Sequence, residues 1–172
     1  FSEDGNSRTV EAIFRTTPFK KPVYKEKYSP RYTAGGDFGL INGEKGSVSY
    51  RDGKWQGFEG TDMDITIDFG EVRNITEINA GFLESTGRWI FLPAKLIFEV
   101  SVDGRTFSQI GEVSNEIPAK NREASIKEHK ASFYAMPVRY IRVYATNPGK
   151  CPDWHHGAGG KTWIFIDEIS WK

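Results

Sequence analysis

Apolar and polar residues alternate along several short segments of this 172-residue chain. In segments 63–69 and 96–102 every second residue is apolar, which is the period of a strand with one buried face. Few stretches have the three-to-four residue spacing of a long amphipathic helix. The pattern therefore predicts an all-β protein in which many short strands pack face to face.

Further strands are predicted at 138–144 and 162–171, and weaker candidates lie at 9–15, 74–83 and 131–134. An Asp103-Gly104 turn leads from the strand at 96–102 into residues 106–110, a pattern typical of a hairpin. Aromatic residues make up 14% of the chain, and they favour pleated, half-buried surfaces. About eight strands separated by Gly and Asn-Gly or Asp-Gly turns predict a β-sandwich or barrel.

Charge and composition exclude several classes of function. Lys plus Arg and Asp plus Glu are both 23, so no net charge draws the chain to nucleic acid or to an anionic membrane. No apolar run approaches the 18 residues of a membrane span, and one cysteine excludes an internal disulfide. The chain begins at Phe1 without Met, so we interpret it as a piece of a larger precursor.

Two features point to a cation. Segment 42–47, Asn-Gly-Glu-Lys-Gly-Ser, combines oxygen side chains with a tight glycine loop that can turn carbonyls inward, although it also fits a plain turn. In strand 162–171, Glu168 is expected to share a face with Ile164 and Ile166, opposite Phe165 and Ile169. Burying this carboxylate among apolar residues costs free energy unless a cation or a basic partner compensates its charge, or the strand end is open to water.

Segment 151–156, Cys-Pro-Asp-Trp-His-His, precedes a glycine-rich stretch. Its cysteine and histidines suggest zinc or a nucleophile, but ligand spacing and a rigid scaffold are both missing. Trp154 offers a flat apolar face, and His155 and His156 offer hydrogen bonds, which together suit a sugar. A tryptophan that caps the core, with surface histidines, fits equally well.

Two other segments, 54–60 and 84–91, put large aromatic residues beside glycine and polar residues at strand ends. Trp55, Phe58 and Trp89 are candidates for a binding face, with Arg88 as a hydrogen-bond donor. The same residues can instead plug the ends of the sandwich, and core packing is the commoner role of a residue such as Trp55.

Five motifs follow one another along the chain: the 42–47 loop, the strand at 64–70 that ends in Ile-Asp-Phe-Gly, and residues 98–107, 139–143 and 166–169. In this order they resemble the coagulation factor V/VIII type C, or discoidin, domain, and the resemblance runs over residues 24–172. The bacterial branch of that family resembles the chain best. It is similar to the family 32 carbohydrate-binding modules at the C-terminus of β-hexosaminidases and related glycoside hydrolases.

The resemblance implies a jelly-roll β-sandwich of the galactose-binding-domain-like type. It also implies one structural calcium ion, with Asn42 in place of the Asp that is frequent in the family. The ligands carried over are the side chains of Asn42, Ser47 and Glu168 and the carbonyls of Leu40 and Lys45. Residues 1–23 fall outside the match and are expected to be a lead-in segment or an edge strand of a preceding domain.

The resemblance further implies a non-catalytic module that targets a linked, exported glycoside hydrolase to a glycan with terminal galactose or N-acetylhexosamine. The expected sugar-binding residues are Trp55, Phe58, Arg88, Trp89, Trp154, His155 and His156. An extracellular or periplasmic location follows, with a catalytic domain in the same polypeptide as partner. One alternative is a domain that binds no sugar and packs against its catalytic partner. Another is a small enzyme that uses Asp153, His155 or His156 with Cys151.

Overall fold

The computed structural model describes residues 19–172. Apart from two three-residue 3-10 helices, Gly39–Ile41 and Thr86–Arg88, its regular structure is entirely strand, which confirms the all-β prediction. Within these residues there are seven strands: β1 (Val23–Tyr24), β2 (Gln56–Glu59), β3 (Met63–Glu84), β4 (Lys95–Ser101), β5 (Ser108–Ser114), β6 (Ser125–Thr146) and β7 (Trp163–Trp171).

The two longest strands, β3 and β6, join the two layers of the sandwich. They pair antiparallel over residues 63–68 with 140–145, and again over 73–84 with 125–138, with a register shift between Asp68 and Arg73. Gly70, at φ +78°, lies in this shift and allows the bend. Segments 63–69 and 74–83 are thus halves of one strand, and so are 131–134 and 138–144, which reduces the predicted eight strands. The strand predicted at 9–15 lies outside the described residues.

The bend in β3 and β6 distributes the other strands between the layers. The strand order is β2-β7-β3-β6-β4-β5, with β1 paired to β3, and all pairs are antiparallel. Strand β4 pairs with the second half of β6, whereas β7 pairs with the second half of β3. This is the predicted β-sandwich. Within residues 19–172, no helix has the length and hydropathy needed to cross a membrane.

The main core lies between the layers and is filled by alternating residues of the strands. Ile65, Ile67 and Phe69 of β3 are fully buried there, as are Leu96 and Phe98 of β4. Burying each such side chain contributes about 1.5–3 kcal/mol. A second, smaller cluster consists of Trp55, Leu83, Ile90 and Phe165. It lies on the other face of β7 and supports the site described below.

A β-bulge in β7 overturns the predicted faces of this strand. Ala80 pairs with Ile169 and Phe82 with Ile166, so Gly81 alone faces two residues, Asp167 and Glu168. The extra residue resets the alternation, so Ile169 joins Ile166 in the main core rather than lying opposite to it. A Cβ atom at Gly81 would collide with the Asp167 carboxylate. The bulge thus brings two adjacent carboxylates to one place beneath the 42–47 loop.

Candidate functional site

A cleft of about 310 Å³ opens over the smaller core cluster, at the outer face of β2 and β7. It draws residues from β7, from the end of β2, and from loops that are far apart in the sequence. Its lining combines aromatic rings, charged side chains and a histidine: Arg31, Tyr32, Tyr50, Glu59, Gly87, Arg88, Trp89, Ile90, His156, Trp163 and Phe165.

Tyr32 anchors the aromatic floor of the cleft. Its ring lies edge-on to Trp163, with ring centroids 5.4 Å apart, and packs against Phe165 at 4.6 Å. Tyr50 also contacts the Tyr32 ring, with ring centroids 6.2 Å apart. Gly57 of β2 makes this approach possible, because a Cβ atom there would press on Tyr32 and Phe165. The edge-to-face contacts hold the floor rigid while Tyr32, Tyr50 and Trp163 remain partly exposed.

Trp89 forms one wall and adopts a left-handed backbone conformation, with φ of 68°. Its N–H donates to the Thr86 carbonyl at 2.8 Å, and its own carbonyl accepts from the Trp163 N–H at 2.8 Å. The indole Nε1–H donates to Nε2 of His156 at 3.1 Å. Because an indole only donates, Nε2 is the accepting nitrogen of His156 and the neutral ring carries its proton on Nδ1. This wall is thus built from two residues that are 67 positions apart.

His155 is a structural residue rather than a group that faces the cleft. It is 3% exposed. Its Nε2 lies 2.7 Å from the Thr86 carbonyl, and its Nδ1 accepts from the Gly157 N–H at 2.9 Å. Both ring nitrogens are therefore occupied by backbone groups. Trp154 is only partly buried and packs behind this histidine, with ring centroids 5.7 Å apart, and it does not line the cleft.

The charged groups at the cleft are Arg31, Glu59 and Arg88, all exposed. They surround the aromatic faces of the floor and of Trp89. Flat apolar faces beside hydrogen-bonding groups match a ligand that has both C–H faces and hydroxyls. That combination is characteristic of carbohydrates.

The structure separates the seven residues predicted for sugar binding. Arg88, Trp89 and His156 come together at the cleft, whereas Trp154 and His155 lie behind it. Trp55 and Phe58 are each 1% exposed. Trp55 belongs to the smaller cluster and donates its Nε1–H to the Ser47 carbonyl at 3.1 Å, and Phe58 belongs to the main core. Neither of these two lines the cleft.

Several cleft residues escaped the sequence analysis: Arg31, Tyr32, Tyr50, Glu59 and Trp163. The only signal was the apolar outer face of β7, where Trp163 alternates with buried Ile164. An apolar face on both sides of a strand indicates that something covers it, and Tyr32 and Tyr50 are what cover it here. Their loops carry no pattern that ties them to β7.

The predicted cation loop, residues 42–47, closes over the carboxylates of the β7 bulge. The Gly43 N–H donates to Oε1 of Glu168 at 3.2 Å, and the Gly46 N–H donates to Oδ2 of Asp167 at 3.0 Å. The side-chain Oδ1 of Asn42 accepts a hydrogen bond from the Glu44 N–H at 2.8 Å. Asp167 was missed from the sequence because the bulge that aligns it with Glu168 depends on pairing with β3.

The other predicted ligands are placed as follows. The Ser47 hydroxyl donates to Asp52 at 2.8 Å, and Lys45 pairs through its side chain with Glu128 at 2.6 Å. Leu40 is fully buried beside the loop, in the first 3-10 helix. In the described part of the chain, no group of three or more His, Cys, Asp or Glu side chains is arranged to hold a metal ion. A cation here would depend on backbone carbonyls as well.

Burial disfavours the ionised form of both carboxylates of the bulge. It raises the pKa of Glu168 to about 7, and that of Asp167 to about 6. The neighbouring loop amides and the Lys45 ammonium lower both values without offsetting the burial. The Oε2 atom of Glu168 is buried and has no hydrogen-bond partner among the residues that the structure describes. A buried oxygen of this kind is unusual in a folded protein and fits a cation ligand.

Cys151, the candidate nucleophile, is buried at 3% exposure. Burial raises the pKa of its thiol, the opposite of what activates a catalytic cysteine. Its neighbour in the enzyme hypothesis, His155, is held between two backbone groups. The geometry therefore gives no support to a Cys–His active site.

Comparisons with known proteins identify the fold and the family of this chain. A comparison with curated proteins finds no match. Among solved structures, CpGH89CBM32-5 from Clostridium perfringens, in complex with GalNAc-beta-1,3-galactose, is 17% identical with a TM-score of 0.54, over 90% of this chain and 97% of that one. The family 32 module of C. perfringens NanJ, in complex with galactose, is 12% identical with a TM-score of 0.54, over 90% and 96%.

A third solved structure, the CBM32 of AlyQ in complex with 4,5-unsaturated mannuronic acid, is 15% identical with a TM-score of 0.52, over 88% of this chain and 92% of that one. At these identities the likeness establishes a shared fold. The profile of the F5/8 type C domain matches residues 25–168, most of the chain. The chain belongs to the F5/8 type C domain family.

Proposed function

We propose that this chain is a non-catalytic carbohydrate-binding module that docks a glycan in the cleft over β7. The observation that carries the proposal is the joining of exposed aromatic faces with hydrogen-bonding side chains in one concave site. Tyr32 and Trp163 form a rigid floor on which a pyranose can stack. Arg88 and His156 lie beside that floor, where sugar hydroxyls need partners.

The ligand we propose is a glycan ending in galactose or N-acetylhexosamine. Two modules with this fold have been solved with galactose or a GalNAc-galactose disaccharide, which supports the sugar class without fixing it. A cleft of about 310 Å³ accommodates one or two sugar rings. At roughly 0.3 kcal/mol per non-hydrogen atom, one or two rings give a Kd of about 10⁻³–10⁻⁵ M.

Weak docking of this kind acts by raising the local concentration of the linked enzyme at its glycan. A module linked to a catalytic domain holds the enzyme near its glycan, so the second encounter becomes intramolecular. We propose an exported bacterial glycoside hydrolase, such as a β-hexosaminidase, as the parent protein, acting in the extracellular space or periplasm. Modules of this fold from C. perfringens glycoside hydrolases support that context.

We further propose a structural calcium ion between the 42–47 loop and the β7 bulge. Glu168 supplies a carboxylate, Asn42 and Ser47 supply neutral oxygens, and the Leu40 and Lys45 carbonyls complete the set. The buried, unpartnered Oε2 of Glu168 supports this assignment. When bound, calcium would neutralise the paired carboxylates and lock the loop to β7.

Glycan titration tests the main proposal. We expect saturable binding to at least one galactose- or N-acetylhexosamine-terminated glycan, weakened more than tenfold in Trp89→Ala and in Tyr50→Ala. Tyr134→Ala is the matched control, because Tyr134 is 97% exposed and lies on β6, away from the cleft. Melting temperature identifies variants that fail to fold.

Two results would contradict the proposal. One is binding that survives unchanged in both cleft variants, which would move the site elsewhere. The other is no binding across a broad neutral and acidic glycan panel by a well-folded chain. That second result would favour the alternative of a domain that packs against its catalytic partner.

A further inference from the structure

The arginines of this chain fall into two groups. Four of the eight within residues 19–172 form ion pairs through their guanidinium groups: Arg73, Arg122, Arg139 and Arg142. The other four, in the same described part of the chain, have no carboxylate within ion-pair distance: Arg31, Arg51, Arg88 and Arg105. Three of these four gather around the proposed glycan cleft.

Arg31 and Arg88 line the cleft itself, and Arg51 lines an adjoining depression of about 240 Å³. The two hollows adjoin, since Arg31, Tyr32 and Tyr50 line both of them. Arg51 is held in place over the Tyr50 ring, with its guanidinium 5.1 Å from the ring centroid. The three cations therefore flank one aromatic surface.

The acidic side chains near this surface do not balance it. Among residues 19–172, Glu59 is the one carboxylate that lines the cleft, and none of them lines the adjoining depression. The chain as a whole has no net charge, so the local excess of positive charge is not a property of the entire surface. Of the five arginines elsewhere in the described fold, all except Arg105 are paired with a carboxylate, as Arg142 is with Asp64 at 2.6 Å. Three cations gathered around one carboxylate indicate that further counter-charge comes with the ligand.

Building on the glycan-binding function proposed above, we propose that the ligand is an acidic glycan. It carries a carboxylate or a sulfate ester on, or next to, the sugar that stacks on Tyr32 and Trp163. A guanidinium presents parallel N–H groups that match the oxygens of either anion, whereas a neutral sugar needs only isolated hydrogen bonds. Arg31 lies between the two hollows and is the principal partner of the anionic group, with Arg88 on the cleft side.

The test compares sugars that differ only in charge. Calorimetric titrations use galactose against galacturonic acid and its uncharged methyl ester, and galactose and N-acetylgalactosamine against their 6-sulfates. We expect at least one charged member to bind tenfold or more tightly than its neutral counterpart in 50 mM salt. That ratio is expected to shrink in 0.5 M salt, which screens charge. The carboxylate and sulfate arms identify which anion is preferred.

Arginine variants locate the effect. Arg31→Gln and Arg88→Gln are each expected to cut the charged-to-neutral affinity ratio at least threefold. Arg105→Gln, which removes an equally unpaired arginine from a different surface, is expected to leave the ratio unchanged. If Arg105→Gln lowers the ratio as much as Arg31→Gln does, the effect is general electrostatics and the proposal is wrong.

The outcomes separate this inference from the function on which it rests. Equal affinity for neutral and charged members of every pair overturns the acidic-glycan proposal and leaves carbohydrate binding intact. No binding of any sugar, in a chain that melts cooperatively, overturns both. Preference for a charged sugar that survives in both arginine variants also overturns the assignment to this cleft.

Discussion

The indole ring of Trp89 lies directly on the backbone of Gly157. A Cβ atom at Gly157 would overlap the ring, and a Cβ atom at Gly160 would overlap a neighbouring part of the same ring. Neither glycine is needed there for an unusual φ; each is needed because a side chain would occupy the space of the tryptophan. The glycine-rich loop is thus a platform that sets the position of one wall of the cleft.

Gly157→Ala is therefore expected to displace Trp89 and weaken glycan binding about tenfold or more. Tryptophan fluorescence reports the displacement, and titration reports the affinity. Gly159→Ala is the control in the same loop: its φ of +78° brings backbone strain, but nothing lies within 4 Å of the added Cβ atom. A Gly159→Ala variant that loses as much affinity as Gly157→Ala would contradict the steric explanation.

The two adjacent histidines of the loop are expected to have opposite phenotypes. His155→Ala leaves the Thr86 carbonyl and the Gly157 N–H without their partner and opens a cavity, at a cost of about 2–3 kcal/mol. Its melting temperature should fall by roughly 5–10 °C.

His156→Ala instead removes an exposed ring that accepts from Trp89 at the cleft. It should weaken glycan binding severalfold and leave the melting temperature within a few degrees. Thermal unfolding and glycan titration of the His155→Ala and His156→Ala variants test these two roles. Equal stability loss in both variants would contradict the assignment of His155 as the structural residue.

Strands β1 and β2 and residues 125–130 of β6 were not predicted. Period-two alternation predicts most of the remaining strands, because it reports directly which side of a strand is buried. It identified both halves of β3, but Gly70 between them has the appearance of a turn, so one bent strand was counted as two. The bulge at Asp167 and Glu168 could not be predicted from the sequence for a related reason. A bulge is defined by the partner strand, and neither the β3 segment nor the β7 segment alone determines the register between the two strands.

The candidate site was only partly predictable for the same physical reason. Arg88, Trp89 and His156 were found because aromatic and polar residues cluster within two short segments. Tyr32 and Tyr50 become cleft residues only through contact with β7, more than 110 positions away. Sequence pattern also does not distinguish His155 from His156, since which of them turns inward depends on the Thr86 carbonyl.

The ion pair between Asp64 and Arg142 is expected to contribute substantially to stability. Arg142 donates to both carboxylate oxygens, at 2.8 and 2.6 Å, and the Asp64 side chain is 8% exposed. Asp64→Ala leaves a partly buried cation with only Glu99 as counter-charge and is expected to cost about 3 kcal/mol.

The matched comparison is Glu112→Ala, which breaks an exposed pair with Lys95 at 2.9 Å. Solvent screens exposed pairs, so the loss of stability should be several times smaller than in Asp64→Ala. Urea unfolding of the two variants at pH 7 provides both values. A similar loss in each would show that burial does not decide the strength of these pairs.

Stability without calcium is expected to fall as the pH rises from 5 to 8. The folded chain keeps the Glu168 proton up to about pH 7, whereas the unfolded chain releases it near the ordinary value of 4.5. Between those values the folded state binds more protons, so each increase in pH favours unfolding. Asp167, with its pKa raised to about 6, acts in the same direction. In the presence of chelator we expect the melting temperature to drop by roughly 5 °C over this range.

Glu168→Gln should flatten that pH profile and raise the melting temperature at pH 8 in chelator, because an amide carries no charge into the buried site. Added calcium should stabilise the unmodified chain more at pH 8 than at pH 5, since the ion requires ionised carboxylates, and should have little effect on Glu168→Gln. Glu44→Gln removes an exposed carboxylate of the same loop and serves as the control. A pH profile that is equally steep in Glu168→Gln, or calcium stabilisation that survives this substitution, would contradict the role assigned to Glu168.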